Sequence, residues 1–157
     1  MVELDEIDYG ILQLLQRDAR NTTPVDMADQ LPVSAQTIRN RISGLQDNDV
    51  IEGYVPIINY ENAGFPIRLR FVCTAPVKER SDLATEALEI SNVVHVQEIL
   101  SGKENLHVVA VTNSSEEITE IAESLSELGL RLESERLMGK SHHRPFNHFG
   151  TDIVDEQ

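Results

Sequence analysis

A short segment between residues 34 and 46 carries side chains that could recognise a nucleic acid. They are hydroxyl, amide and guanidinium groups at the start, on one side and on the flanks of a predicted helix: Ser34, Gln36, Thr37, Arg39, Asn40, Arg41 and Ser43. On a helical wheel they lie away from a buried stripe of Ile38, Ile42 and Leu45. Amides and guanidiniums can make paired hydrogen bonds to purine edges in the major groove, while hydroxyls serve phosphates or bases. Any surface helix also has a polar side, so this face alone leaves both interpretations open.

Two shorter helical patterns precede this segment and would position it. Asp5 is a good N-cap for a first helix, which ends near Asn21. Thr23, followed by Pro24, begins a second helix, which Pro32 ends. Three short capped helices, the last with a polar face, are typical of a winged or plain helix-turn-helix domain whose last helix enters a DNA groove.

The charge of the chain opposes this interpretation. It has 27 acidic and 13 basic residues, for a net charge of −14, and residues 1–52 hold ten carboxylates but only four arginines. Phosphate neutralisation supplies most of the affinity of DNA-binding proteins, so such acidity ordinarily indicates a protein that never meets DNA. The alternative is adaptation to a saline cytoplasm, where salt screens charges beyond ~3 Å at molar strength. Ten arginines against three lysines, with the excess of acid, favour a halophile.

The pattern changes after the first 52 residues, which form the predicted DNA-binding domain. Residues 53–66 combine a short apolar run with turn-forming residues and predict a strand linker. Residues 67–138 follow the order strand-helix-strand-strand-helix-strand, which predicts a ferredoxin-like domain within an α+β protein. Helices would cover one face of its four-stranded sheet, and we expect a second copy of the chain to cover the other. Residues 139–157 form a C-terminal arm and tail.

Two stretches resemble the Lrp/AsnC family of feast/famine transcription regulators. LDEIDYGILQLLQRDAR has the form LxxxDxxILxxLxxxAR of the first family helix, and VSAQTIRNRISGLQDNDVIEGY has the form VSxxTVxxRIxxLExxGVIxGY of the recognition helix and its exit. The resemblance extends to about Met138 and implies a helix-turn-helix domain, a strand linker and a ferredoxin-like sensing domain. It further implies double-stranded DNA as a partner, homodimers that assemble into octamers in many members, an amino-acid or related metabolite as effector, and no cofactor. With the acidic composition, it indicates a haloarchaeal member.

The resemblance also places the effector near the loop between the second and third strands of the sensing domain. The loop residues are Ser101, Gly102, Lys103, Glu104 and Asn105. The family loop commonly ends in Asp at the position of Asn105. Whether Asn105 orders this loop or binds the ammonium group of an amino acid is therefore open.

The arm contains three histidines within seven residues, His142, His143 and His148. That spacing permits a metal site. The alternative, which we favour, is an arm without metal whose Pro145, Phe146 and Phe149 pack on the sensing domain or on its partner.

Two other function classes compete with a sequence-specific DNA-binding transcription regulator. An enzyme is disfavoured, because the sequence has no glycine-rich phosphate loop, nucleophile elbow or HExxH motif. A ligand-sensing module that acts through protein partners rather than DNA is the stronger alternative. The sequence has no apolar run of 18 residues and no signal-peptide pattern, so we expect a cytoplasmic protein with no membrane partner.

Overall fold

A computed structural model describes residues 2–149, which fall into two compact units. The helical unit contains residues up to Pro56 together with the arm from His142, and the sheet unit contains Ile57–Ser141. The predicted strand linker forms no strand, since residues 53–66 are turns and irregular backbone. A strand needs a neighbour for its hydrogen bonds, and Val55 and Ile57 are instead 88% and 80% exposed.

The helical unit has the three predicted α-helices: α1 (Glu6–Asp18), α2 (Pro24–Ala28) and α3 (Ala35–Asp47). Asp5 and Asp8 form a capping box at the start of α1, and Thr23 and Asp26 form another at the start of α2. Ser34 caps α3 through the backbone N–H of Thr37. No strand occurs among the described residues of this unit, so it is a plain helix-turn-helix domain without a wing.

The three helices enclose a small apolar core in which Ile11, Met27 and Ile38 are fully buried. Gly10 allows α1 to approach the end of α2 closely. A Cβ atom at Gly10 would lie 2.6 Å from Cδ2 of Leu31, which is too close for an unstrained contact.

The described part of the arm packs on α1. The ring of Phe149 stacks on Tyr9 with 5.6 Å between centroids, and the backbone N–H of Phe146 donates to Oε1 of Gln16 at 3.0 Å. Gln13 is 4% exposed; with its amide nitrogen facing the arm, it donates to the carbonyls of Phe149 at 3.0 Å and Phe146 at 3.1 Å. The expectation that the arm packs on the sensing domain is therefore wrong for residues 142–149, because Phe149 packs against the core of the helical unit.

The sheet unit confirms the predicted ferredoxin-like order. Its elements are β1 (Ile67–Thr74), α4 (Arg80–Leu88), β2 (Val93–Glu98), β3 (Leu106–Thr112), α5 (Ser115–Glu127) and β4 (Arg131–Leu137). The strands lie in the order β2-β3-β1-β4, and each neighbouring pair is antiparallel. No helix within residues 2–149 is long and apolar enough to cross a membrane.

The two faces of the sheet differ because side chains alternate along each strand. One face packs against α4 and α5 and includes the fully buried Phe71, Cys73 and Val108. Burial there raises the pKa of the Cys73 thiol to about 11, which suits a packing role rather than a reactive one. The side chains that alternate with these residues along each strand lie on the opposite face of the sheet, which we call the open face.

Candidate nucleic-acid interface

The outer surface of α3 presents most of the predicted DNA-contacting side chains. Gln36, Arg39, Asn40 and Ser43 are exposed, while Ile38 on the opposite side is fully buried. Hydrogen bonds connect three of them: Nη1 of Arg39 donates to Oε1 of Gln36 at 3.4 Å, and Nε2 of Gln36 donates to Oδ1 of Asn40 at 3.1 Å. These contacts align a guanidinium and two amides on one face of the helix.

The two hydroxyl groups at the start of α3 belong to Ser34 and Thr37, which interact with each other. Oγ of Ser34 accepts a hydrogen bond from the backbone N–H of Thr37 at 3.1 Å, and the two hydroxyl oxygens lie 3.0 Å apart. The Ser34 side chain stays exposed and Thr37 is half-buried. Both residues define where the helix begins, and the exposed Ser34 hydroxyl lies at the end of the polar face.

Arg41 is engaged within the protein. Its Nη1 lies 2.8 Å from Oδ2 of Asp5 and 3.1 Å from Oδ2 of Asp8. The backbone N–H of Asp8 and the Arg41 guanidinium hold the pKa of the Asp5 carboxyl below its usual value, and the hydrogen bond to Asp5 raises the pKa of Arg41. Arg41 therefore ties α3 to the capping box of α1.

We expect Arg41→Ala to lower the free energy of unfolding by about 1–2 kcal/mol, because the ion pair is half-buried and leaves the nearly buried Asp8 without its partner. Arg39→Ala is the matched control and should change stability by less than about 0.5 kcal/mol, since it alters an exposed side chain. Denaturant unfolding of the DNA-free protein measures both. Equal losses in the two variants would contradict the structural role of Arg41.

In the predicted effector loop, Asn105 is buried whereas the other residues are exposed. Residues 101–104 are exposed, and Nζ of Lys103 lies 3.3 Å from Oε1 of Glu133. Asn105 is 4% exposed. Its Nδ2 donates to the carbonyl of Ala75 at 2.9 Å, and its Oδ1 accepts from the N–H of the same residue at 2.8 Å. A carboxamide satisfies both partners, whereas an ionised carboxylate could only accept, so Asn105 orders the end of the loop and directs its side chain away from solvent.

Asn105→Asp should lower the free energy of unfolding by about 1–3 kcal/mol, because the Ala75 carbonyl loses its donor and a carboxylate occupies a buried position. Burial raises the pKa of a carboxyl, so the loss should be greatest at neutral pH and shrink as the pH falls and the introduced group binds a proton. Denaturant unfolding across this pH range, with the exposed Asn62→Asp as control, checks the prediction. Equal, pH-independent effects at both positions would refute it.

The arm histidines do not converge with other ligands. His142 and His143 are exposed, and the ring of His148 lies edge-on to Phe146 with 5.2 Å between centroids. Within residues 2–149, no group of three or more His, Cys, Asp or Glu side chains is placed to hold a metal ion.

Sequence reasoning missed two features of the helical unit and the sheet. The bond between Arg41 and the α1 capping box joins residues more than 30 positions apart, so helical periodicity gives no signal for it. The cations on the open face, among them Arg68 and Arg70, occupy the polar positions of an alternating strand. That alternation could have indicated them, but only the strand register shows which groups become neighbours.

Comparison with known proteins agrees with this architecture. Residues 4–46 match the AsnC-type helix-turn-helix domain family. An uncharacterised HTH-type transcriptional regulator of Pyrococcus furiosus is 29% identical over 124 residues, which are 79% of this chain and 82% of that protein. The leucine response regulatory protein of Mycobacterium tuberculosis has a similar structure, with a TM-score of 0.76 at 21% identity, over 93% of this chain and 99% of that one. A Neisseria meningitidis transcriptional regulator, solved as a complex with L-Met, has a TM-score of 0.74 at 18% identity, over 92% and 96% of the two chains.

The matched domain, the three-helix arrangement and the ferredoxin-like unit together define an HTH-type transcription regulator. More narrowly, residues 4–46 match the AsnC-type helix-turn-helix domain, and most of the chain is similar to HTH-type transcriptional regulators. The relatives it matches carry the names of transcription regulators and not of enzymes, which agrees with the prediction from sequence motifs.

Proposed function

We propose that α3 reads DNA sequence in the major groove through Gln36, Arg39 and Asn40. The observation that carries this proposal is the exposed, hydrogen-bonded row of one guanidinium and two amides on a helix of a matched DNA-binding domain. Arginine pairs with guanine and asparagine or glutamine with adenine in such grooves. Ser34, Thr37 and Ser43 lie at the edges of the row and suit phosphate contacts. Arg41 acts indirectly, because its guanidinium is held by Asp5 and Asp8.

Arg39→Ala or Asn40→Ala should weaken binding to a specific DNA site by about 1–3 kcal/mol and relax the preference for that site over random duplex. Titration of the full chain with both duplexes measures this ratio, after selection of a high-affinity site from a random library. Ser43→Ala is the control for an edge contact and should weaken both duplexes alike. Equal weakening of both duplexes by Arg39→Ala would exclude base recognition by Arg39. Absence of DNA binding by the unaltered chain would favour the alternative of a module that acts through protein partners.

We further propose that residues 1–52 form the DNA-binding domain and residues 67–138 the sensing and dimerisation domain of a cytoplasmic homodimer, which can assemble further into an octamer. The open face of the sheet supports this assembly, because both helices of the sheet unit pack on the other face. The linker supports it too, since Val55 and Ile57 are 88% and 80% exposed in the single chain. Apolar side chains exposed in series are typical of an interface with another chain.

The proposed effector is an amino acid or a related small metabolite that contacts the exposed loop residues Ser101, Gly102, Lys103 and Glu104. The family resemblance and the L-Met complex of the Neisseria regulator support the ligand class. Asn105 contributes by ordering the loop rather than by contact. Calorimetric titration of the full chain with the common amino acids, L-Met first, tests this assignment. Binding by none of them would contradict it.

The composition supports adaptation to a saline, haloarchaeal cytoplasm. Residues 1–52 have only Arg17, Arg20, Arg39 and Arg41 as cations beside ten carboxylates, and Arg41 is paired internally. Few cations therefore remain to neutralise DNA phosphates, and the carboxylates repel them most strongly at low salt, where screening is weak.

We expect DNA affinity to change little, or even to rise, between about 0.1 M and 1 M KCl. A protein that neutralises Z phosphates loses affinity with a logarithmic slope of about −0.9Z, and Z is small here. Cations trapped between carboxylates and phosphates would oppose that loss further. Fluorescence anisotropy across this salt range measures the slope. A steep, monotonic loss of affinity would refute both the mechanism and the halophilic adaptation.

A further inference from the structure

The open face of the sheet concentrates positive charge that DNA reading does not use. Strand register places three rows of side chains across this face: His95, Val109, Arg70 and Arg136; Gln97, His107, Val72 and Ser134; and Val111 and Arg68. These three rows contain no carboxylate, although the chain has 27 acidic residues. The next row of the same face pairs Thr74 with Arg131, and there Glu133 accepts a hydrogen bond from Thr74 and is paired with Lys103 and Arg131. The face is therefore positive in a protein of net charge −14.

Two arginines of this face are neighbours in the strand register. Arg70 and Arg136 are direct partners across β1 and β4, and Arg68 precedes Arg70 by two residues on the same face. Like charges placed directly opposite each other destabilise a sheet. This arrangement costs free energy unless a negative group is bound there.

Three polar atoms of the side chains in these rows are buried but form no hydrogen bond. The Nε atoms of Arg68 and Arg70 and the hydroxyl of Ser134 are inaccessible and have no hydrogen-bond partner within the described chain. Arg68 makes one bond, from Nη1 to Oγ of Ser141 at 3.0 Å. Buried donors without acceptors are rare in folded proteins, and a bound ion or a partner group is one explanation for them.

His107 adds a neutral donor beside the arginines. Burial, followed by the positive charge of Arg70, lowers the pKa of His107; Glu104 opposes the shift and Arg136 reinforces it. The imidazole is therefore uncharged at neutral pH, when one ring nitrogen carries a proton and can donate it to an acceptor.

We propose that this cluster is a binding site for a small oxyanion, a metabolite bearing a carboxylate or phosphate group. Arg70 and Arg136 form its centre, since guanidinium donors match the geometry of both groups. The rows contain no Phe, Tyr or Trp side chain on which a nucleic-acid base could stack, which disfavours a nucleic-acid strand as the ligand.

The oxyanion also has a consequence for the assembly, and this part rests on the proposed face-to-face dimer. Two copies that meet through their open faces bring two positive clusters together in a region that excludes water. Repulsion in such a region is stronger than at the surface. An oxyanion bound in each cluster cancels that repulsion, so occupancy of the site promotes dimerisation.

Sedimentation equilibrium of the full chain in KCl tests this link, with millimolar inorganic phosphate or succinate added at constant ionic strength and pH 7. We expect each anion to lower the dimer dissociation constant about tenfold relative to chloride. The double variant Arg70→Gln/Arg136→Gln should dimerise without the anion and show no response to it. Arg131→Gln removes one arginine from the same strand, outside the three rows, and should respond like the unaltered chain. Phosphate can also stabilise compact states by exclusion from protein surfaces, and an equal response in all three proteins would show that general effect and overturn the site.

A second measurement reports the site directly. The imidazole resonance of His107, assigned by comparison with His107→Gln, should shift on addition of phosphate, and its pKa should rise because an anion favours the charged form. No shift would overturn the oxyanion site while leaving a stable dimer intact. A shift in a protein that stays monomeric would support the site and refute the proposed dimer. A dimer that is already tight in chloride and is weakened by the double variant would show that carboxylates of the partner pair with the arginines, which also overturns the proposal.

Discussion

The ion pair between Arg41 and the first turn of α1 fixes the position of the recognition helix. Asp5 and Asp8 cap α1 and also hold the guanidinium, so the start of one helix and the middle of another share the same carboxylates. Because Arg41 is held on one flank of α3, Arg39 and Asn40 point to solvent on the other. The polar face that would meet DNA is thus oriented by contacts that do not themselves belong to it.

Charge is distributed unevenly in this acidic protein, and the distribution follows the architecture. Arg41, Arg80 and Arg131 pair with carboxylates in their own units. The open face is the exception, because three of its rows bring arginines together with valines and histidines, while Glu133 at its end is already paired with Lys103 and Arg131. The two faces of one sheet therefore differ in kind: one buries an apolar core against helices, and the other retains charges that require a partner.

Much of the fold follows from local signals in the sequence. Asp5, Thr23 and Ser34 each cap a helix where predicted, because a capping side chain needs only neighbours within one turn. The alternating strands and amphipathic helices likewise gave the ferredoxin-like order, and the exposed polar face of α3 followed from the helical wheel.

Features that depend on distant residues were not predictable from such signals. Asn105 departs from a family pattern, and its role depends on Ala75, which lies 30 residues earlier in the chain. The arm was expected to pack elsewhere, because nothing in its own sequence distinguishes α1 from another apolar surface. The linker has the apolar residues of a strand but no partner in the single chain, so composition predicted a strand that the fold of one chain cannot supply.

The docking of the arm on α1 has a consequence for how the protein is made. Helices α1 to α3 leave the ribosome early, and their apolar stripes are complete by residue 47. The buried amide of Gln13, however, finds its acceptors at Phe146 and Phe149, which are synthesised more than 130 residues later. The helical unit of a nascent chain therefore stays incomplete until nearly the whole sequence has been translated. A chain truncated after β4 would have a helical unit that lacks the packing and hydrogen bonds of the arm.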